Sequence, residues 1–249
     1  DLLYLSLPPF PSSPLEMGDE LPSSARSSPP ENKIARECIT ELFASLLLSF
    51  FVVYGSQPNV NRQGTSSIMD GIIVFILTYL FTHSDNSPIH LNPAVSIASS
   101  AKNLGGIITC IARLIGQFLG SLLGYLLSFA LTSPSLLSDS LLFPPPSPSE
   151  SFSTRTQTFF LESIFTSLLC LPYLSHSINP HIIAATRTLV SFCLFKVSTC
   201  NFFLQLNSCI ILLISSPSTP TGISFIYLSL FSSLLGSFLS VVISRLFPL

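Results

Sequence analysis

Charge is what this chain has least of. Asp, Glu, Lys and Arg together make up 9% of its 249 residues, where a soluble domain carries about 25%. That deficit excludes an ordinary water-facing surface and points to lipid as the main solvent. Mean hydropathy of +0.64 agrees. Only ten Lys and Arg are present, widely spread, so nucleic-acid binding has no electrostatic footprint. Cysteine is limited to Cys38, Cys110, Cys170, Cys193, Cys200 and Cys209, none in a CxxC pair, which argues against metal or redox use and for small buried apolar side chains. Paired carboxylates, nucleophile–base sets and phosphate-binding Gly loops are missing from any fitting context, so neither an enzyme nor a cofactor is expected. Glycine is scarce at 11 residues, while serine is frequent in the apolar runs.

What is present is a series of long apolar segments. Residues 1–32 come first, a Pro/Ser-rich mixture that cannot form a packed core and reads as a disordered tail. Its apolar patch DLLYLSL is too short to span or to serve as a signal core, so insertion by the first span is expected. Spans are expected at about 37–56, 67–83, 107–131, 157–175, 181–200 and 222–246, each near the roughly 20 residues a bilayer requires. Two shorter segments, 92–101 and 207–216, would cover roughly 15 Å as helices and cannot cross alone. A Pro/Ser-rich loop, 132–156, divides the chain into a first half-repeat (33–131) and a second (157–249). Arg26, Lys33, Arg36, Lys102, Arg113 and Arg245 would share one side, with Arg62 and Arg155 on the other. By the positive-inside rule both termini are expected in the cytoplasm.

The halves repeat in order. Each opens with a Glu inside an apolar span (Glu41, Glu162), passes a second span, reaches a short Asn-headed segment (Asn92, Asn207) and ends in a long span. Three spans per half invert the second half, a plan that builds a site at the bilayer midplane. In IHLNPAVSIA (Ile89–Ala98), Asn92 is a strong N-cap and Pro93 suits the first helical position. The resulting half-helix presents free N–H groups and a positive dipole end to the bilayer centre, tolerated only inside protein or beside a water-filled cavity. Such an end repels cations, and the Asn amide can donate to a passing oxygen, so a path for neutral solutes is expected.

These motifs resemble the aquaporin family of membrane channels for water and small neutral solutes. SPIHLNPAV matches its first signature box, with Pro88 for the usual Gly, and His90 would orient the loop. Glu41 and Glu162 stand where the family places a Glu in its first and fourth spans; the E-x-x-x-T pattern is kept from Glu162 to Thr166, while Ser45 replaces the Thr after Glu41. Gln117 follows Asn92 at the family's spacing. The resemblance covers about residues 36–247 and implies six transmembrane helices with two re-entrant half-helices, an all-α inverted repeat. It also implies that both Glu residues bind half-helix backbone, that Asn92, Pro93 and Ala94 line a pore, and that the chain forms a homotetramer in the lipid bilayer.

The second half departs from the pattern. No second Asn-Pro-Ala occurs; the Asn-Pro of SINPHIIAATR (Ser177–Arg187) comes too soon after Glu162 and reads as a connecting loop. Counting from both sides puts the second box at Asn207-Ser208-Cys209. The family's selectivity Arg would then be Ile210, with Ile72, Phe195 and Leu204 as partners, an apolar filter. Lys196 could supply a cation, although snorkelling from a span end is the simpler reading. Asp70 is expected at the interface. A non-conducting relative with a structural role is one alternative, and a secondary transporter coupled through Glu41 or Glu162 is another.

Overall fold

A computed structural model describes residues 30–55, 62–82, 88–102, 106–131, 155–175, 178–194, 198–215 and 223–247. Residues 1–29 of the expected tail and 132–154 of the expected connecting loop lie outside that set. The described residues form eight α-helices and no strand: α1 (Pro30–Gly55), α2 (Arg62–Phe81), α3 (Pro93–Ala101), α4 (Ile107–Leu131), α5 (Arg155–Leu174), α6 (Pro180–Cys193), α7 (Phe202–Ser215) and α8 (Ile223–Leu246).

The helices bury polarity and display hydrocarbon. Ile107, Ile111, Ile115, Leu119 and Leu123 form an exposed stripe at four-residue spacing along α4, while its opposite face buries Arg113, Gly116, Gln117, Gly120, Ser121 and Gly124. On α8, Leu230, Leu234 and Phe238 are exposed, and Ser229, Ser232, Ser233, Ser237, Ser240 and Ser244 are buried. A protein in water would reverse this pattern. In lipid it is favourable, because apolar side chains gain nothing by leaving the hydrocarbon and small side chains let helices approach.

That approach decides the helix pairs. A Cβ added to Gly116, Gly120 or Gly124 would collide with the carbonyl oxygen of Cys38, Leu42 or Leu46, so α4 lies directly on the backbone of α1. Gly236 meets the Ser163 carbonyl in the matching α5–α8 pair. Where α8 carries Ser around Gly236, the hydroxyls turn back onto their own helix, for example Ser237 Oγ to Ser233 O at 2.8 Å and Ser240 Oγ to Ser237 O at 2.7 Å. Serine thus serves at close contacts with its hydroxyl bonded at Ser237 and Ser240, while Ser233 Oγ is buried without a partner among the described residues. The α1–α4 and α5–α8 pairs repeat one arrangement, and α2 packs on α6 between them.

Among the described residues, three helices are long and apolar enough to cross a membrane on those grounds alone: Asn32–Tyr54, Ile107–Leu131 and Ile226–Leu246. α6 falls short on length, with 14 residues, and α5 carries buried Glu162 among its apolar side chains. The expected fifth span, 181–200, is shorter in the structure. α6 ends at Cys193 after 14 residues, about 21 Å at 1.5 Å per residue. A helix starts again at Phe202, five residues before the expected half-helix at 207.

Candidate functional site

Two loops enter the helix bundle and each ends at an Asn. The first is Pro88–Asn92, leading into α3. Asn92 has extended backbone and its Oδ1 accepts the Ala94 N–H at 3.0 Å, while Pro93 fills the first helical position, where no N–H is needed. The second is Ser198–Asn201, leading into α7. Asn201 Oδ1 accepts the Leu204 N–H at 3.4 Å. Both Asn carbonyls take the first helical hydrogen bond, from Ser96 N and Gln205 N, each at 3.2 Å. The residue before each Asn has left-handed backbone, Leu91 at φ 57° and Cys200 at φ 48°. For non-glycine residues that conformation costs roughly 1–2 kcal/mol and persists only where the surroundings hold it.

What holds it is a reciprocal bond. Asn92 Nδ2 donates to the Cys200 carbonyl at 2.7 Å, and Asn201 Nδ2 donates to the Leu91 carbonyl at 2.8 Å. The two half-helices therefore meet N-terminus to N-terminus across an approximate twofold relationship. An amide NH2 has two hydrogens, and each Asn commits one of them to this contact.

The second box thus starts at Asn201-Phe202-Phe203, which corrects its placement at Asn207-Ser208-Cys209. The expectation failed by allowing the fifth span 20 residues where the helix uses 14. Asn207, Ser208 and Cys209 instead lie inside α7. Asn207 is fully buried, with Nδ2 donating to Ser121 Oγ at 2.6 Å and to Phe118 O at 3.5 Å, so it ties α7 to α4. The sequence signal for Asn201 is its position directly after Ser198-Thr199-Cys200, small polar residues that end one apolar run, and directly before the apolar Phe202–Ile214.

Glu41 supports the first loop. Its two oxygens accept His90 N–H at 2.5 Å and Leu91 N–H at 3.0 Å, and Gln117 Nε2 adds a third bond at 3.1 Å. Gln117 also donates to Ser96 Oγ. The His90 ring sits between Ser96 Oγ and the Arg113 guanidinium, which is itself paired with Glu37 at 2.7 Å. Glu162 stands in the equivalent place but bonds side chains, Ser229 Oγ at 2.8 Å and Gln205 Nε2 at 3.3 Å. The Cys200 N–H goes to Ser198 Oγ instead.

Beside the two Asn residues is a cavity of about 30 Å³, room for about two water molecules. Its apolar wall includes Leu48, Val74, Val95, Leu169 and Ile183; its polar side chains are His90, Asn92, Tyr173, Arg187 and Asn201. Arg187 was not anticipated as a site residue. It is buried, donates from Nη1 to the Thr199 carbonyl at 2.9 Å, and approaches Asp70 with Nη2 at 3.6 Å. Asp70 also accepts Ser191 Oγ at 2.7 Å, so it is a partner between α2 and α6.

The expected filter is dispersed. Ile72 is 45% exposed on the outer face of α2, and Ile210 is half-buried within α7. Phe195 and Lys196 lie outside the described residues. Leu204 directly follows the actual second box, but it packs with Val53, Tyr125 and Ile211 and does not line the cavity. Among the described residues, no three His, Cys, Asp or Glu side chains cluster as a metal site.

Residues 29–206 match the major intrinsic protein family. The chain belongs to that family. The matched segment includes both Asn92 and Asn201 and stops one residue short of Asn207. Among solved structures, the X-ray structure of the aquaglyceroporin from Plasmodium falciparum is similar at TM-score 0.70 and 20% identity, with 86% of this chain and 98% of that chain covered. That likeness establishes the shared all-α membrane fold. No curated protein matches the chain. Major intrinsic proteins are channels, and this chain is an integral membrane protein of that class.

Proposed function

We propose that the chain passes water and small neutral solutes, glycerol among them, along a path that crosses the midplane between Asn92 and Asn201. The observation that carries this reading is the reciprocal Asn–carbonyl pair at the edge of a water-sized cavity. A solute oxygen entering there meets the second hydrogen of each amide and the positive ends of two helices. Water and alcohols accept such bonds and lose little on leaving bulk solvent, whereas cations are opposed by both dipoles. The largely apolar wall restricts hydrogen bonding to one side of the path.

Glu41 and Glu162 do not line the cavity, and their oxygens are committed to loop and helix partners, so a transporter's coupling-ion site gains no support from them. No covalent chemistry is part of this reading. Arg245 donates to the Ala101 carbonyl at 3.4 Å, bringing the last turn of α8 to the end of α3 beside Lys102. Together with Lys33 and Arg36 at the start of α1, this basic end supports cytoplasmic termini. The exposed apolar faces suit lipid and a homotetramer with one path per subunit. The small cavity favours water over larger solutes, and a non-conducting structural relative is the competing reading. Proteoliposomes shrinking under sucrose and then glycerol gradients separate these: water flux above empty vesicles supports the channel, and background flux with folded protein present supports the structural role.

A further inference from the structure

The position after the second box, where an aquaporin is expected to carry its selectivity Arg, is Leu204, turned into an apolar cluster. The cavity nevertheless has a guanidinium in its wall, delivered from another helix. Arg187 lies at the middle of α6, is 6% exposed, and lines the same cavity as Asn92 and Asn201. Its five N–H donors are not exhausted. Nη1 serves the Thr199 carbonyl, Nη2 approaches Asp70 at an ion-pair distance, and Nε is buried with no hydrogen-bond partner among the described residues. Asp70 shares its nearer oxygen with Ser191, so it balances the charge of Arg187 without saturating its donors.

A buried guanidinium with spare donors beside a water-sized cavity can do two things. It offers a passing oxygen a charge-assisted hydrogen bond, and it repels a cation in a low-dielectric wall where a unit charge acts strongly. We propose that Arg187 is the charge-selecting residue of the pathway and that Asp70 limits its field, so that neutral solutes pass while both ion signs are held back. This rests on the cavity being the solute path. A purely structural Arg187, holding the Thr199 carbonyl in the second loop, would affect stability and all fluxes together and would not alter the sign of ion that leaks.

The test compares the full chain with Arg187→Gln, Arg187→Lys and Asp70→Asn in proteoliposomes, reading water flux by light scattering and K⁺, H⁺ and nitrate leak by dyes. Arg187→Gln should raise K⁺ and H⁺ leak by about tenfold or more, because the repelling charge is gone. Arg187→Lys should keep cations out, and Asp70→Asn should raise nitrate leak as the field of Arg187 goes unbalanced. A water-conducting wild type whose Gln variant leaks no more than itself overturns the proposal. If the Gln variant does not fold, cation leak through Arg187→Lys or unchanged nitrate leak through Asp70→Asn overturns it. A wild type that passes no water removes the pathway itself, and the proposal with it, which the water measurement alone reveals.

Discussion

Asn92 and Asn201 hold each other's loops. Each amide donates to the carbonyl preceding the other Asn, at 2.7 and 2.8 Å, and each side-chain oxygen caps its own helix. One pair of residues thereby fixes where both half-helices begin and keeps Leu91 and Cys200 in left-handed backbone.

Because the two bonds join the same loops, they should couple. Asn92→Ala or Asn201→Ala alone should each destabilise by about 1–2 kcal/mol through the lost cap, plus the unpaired opposite carbonyl. The double variant should fall short of the sum by roughly 0.5–3 kcal/mol, since the first change already releases the loops. Thermal unfolding in detergent of the four proteins measures this; strict additivity would mean that the loops are held independently.

The two buried glutamates should differ in weight. Glu41 accepts two backbone N–H groups of the loop, and Glu162 accepts side-chain donors that can turn elsewhere. Glu41→Ala leaves two buried N–H groups unpaired, at about 1–3 kcal/mol each. It should therefore lower stability and water flux more than Glu162→Ala. Equal losses in both measurements would contradict the asymmetry.

Much of this was legible in the sequence, and for identifiable reasons. Asn92-Pro93 states a helix start in two residues, and Glu41 and Gln117 are polar groups in apolar runs that lipid leaves no other use for. Asn201 was harder to see because Phe202 and Phe203 stand where Pro and Ala stand in the first box, and because α6 is 14 residues long and not 20. Asp70 and Arg187 are 117 residues apart in sequence, and no local pattern shows that they meet. Ile72 failed as a filter residue through a matter of helix face: offset counting gives a position along α2, while the 100° turn per residue decides whether it faces the cavity.

Close packing of α4 on α1 should be intolerant of bulk. Gly120→Leu forces a side chain against the Leu42 carbonyl and backbone, so the helices must separate. Folded yield and detergent melting temperature should both drop sharply. A change at the exposed neighbour, Leu119→Ala, should leave them nearly unaltered, because that side chain faces lipid. Similar losses at both positions would argue against the close α1–α4 contact.

The most direct test sets Asn201→Ala beside Asn207→Ala in proteoliposomes of matched protein density. Both residues are buried on the approach to or within α7, and only Asn201 faces Asn92. Osmotic water flux through Asn201→Ala should fall several-fold toward that of empty vesicles, as it should for Asn92→Ala, while Asn207→Ala stays near wild type. Loss of flux in Asn207→Ala with Asn201→Ala unaffected would contradict the placement of the pathway between Asn92 and Asn201.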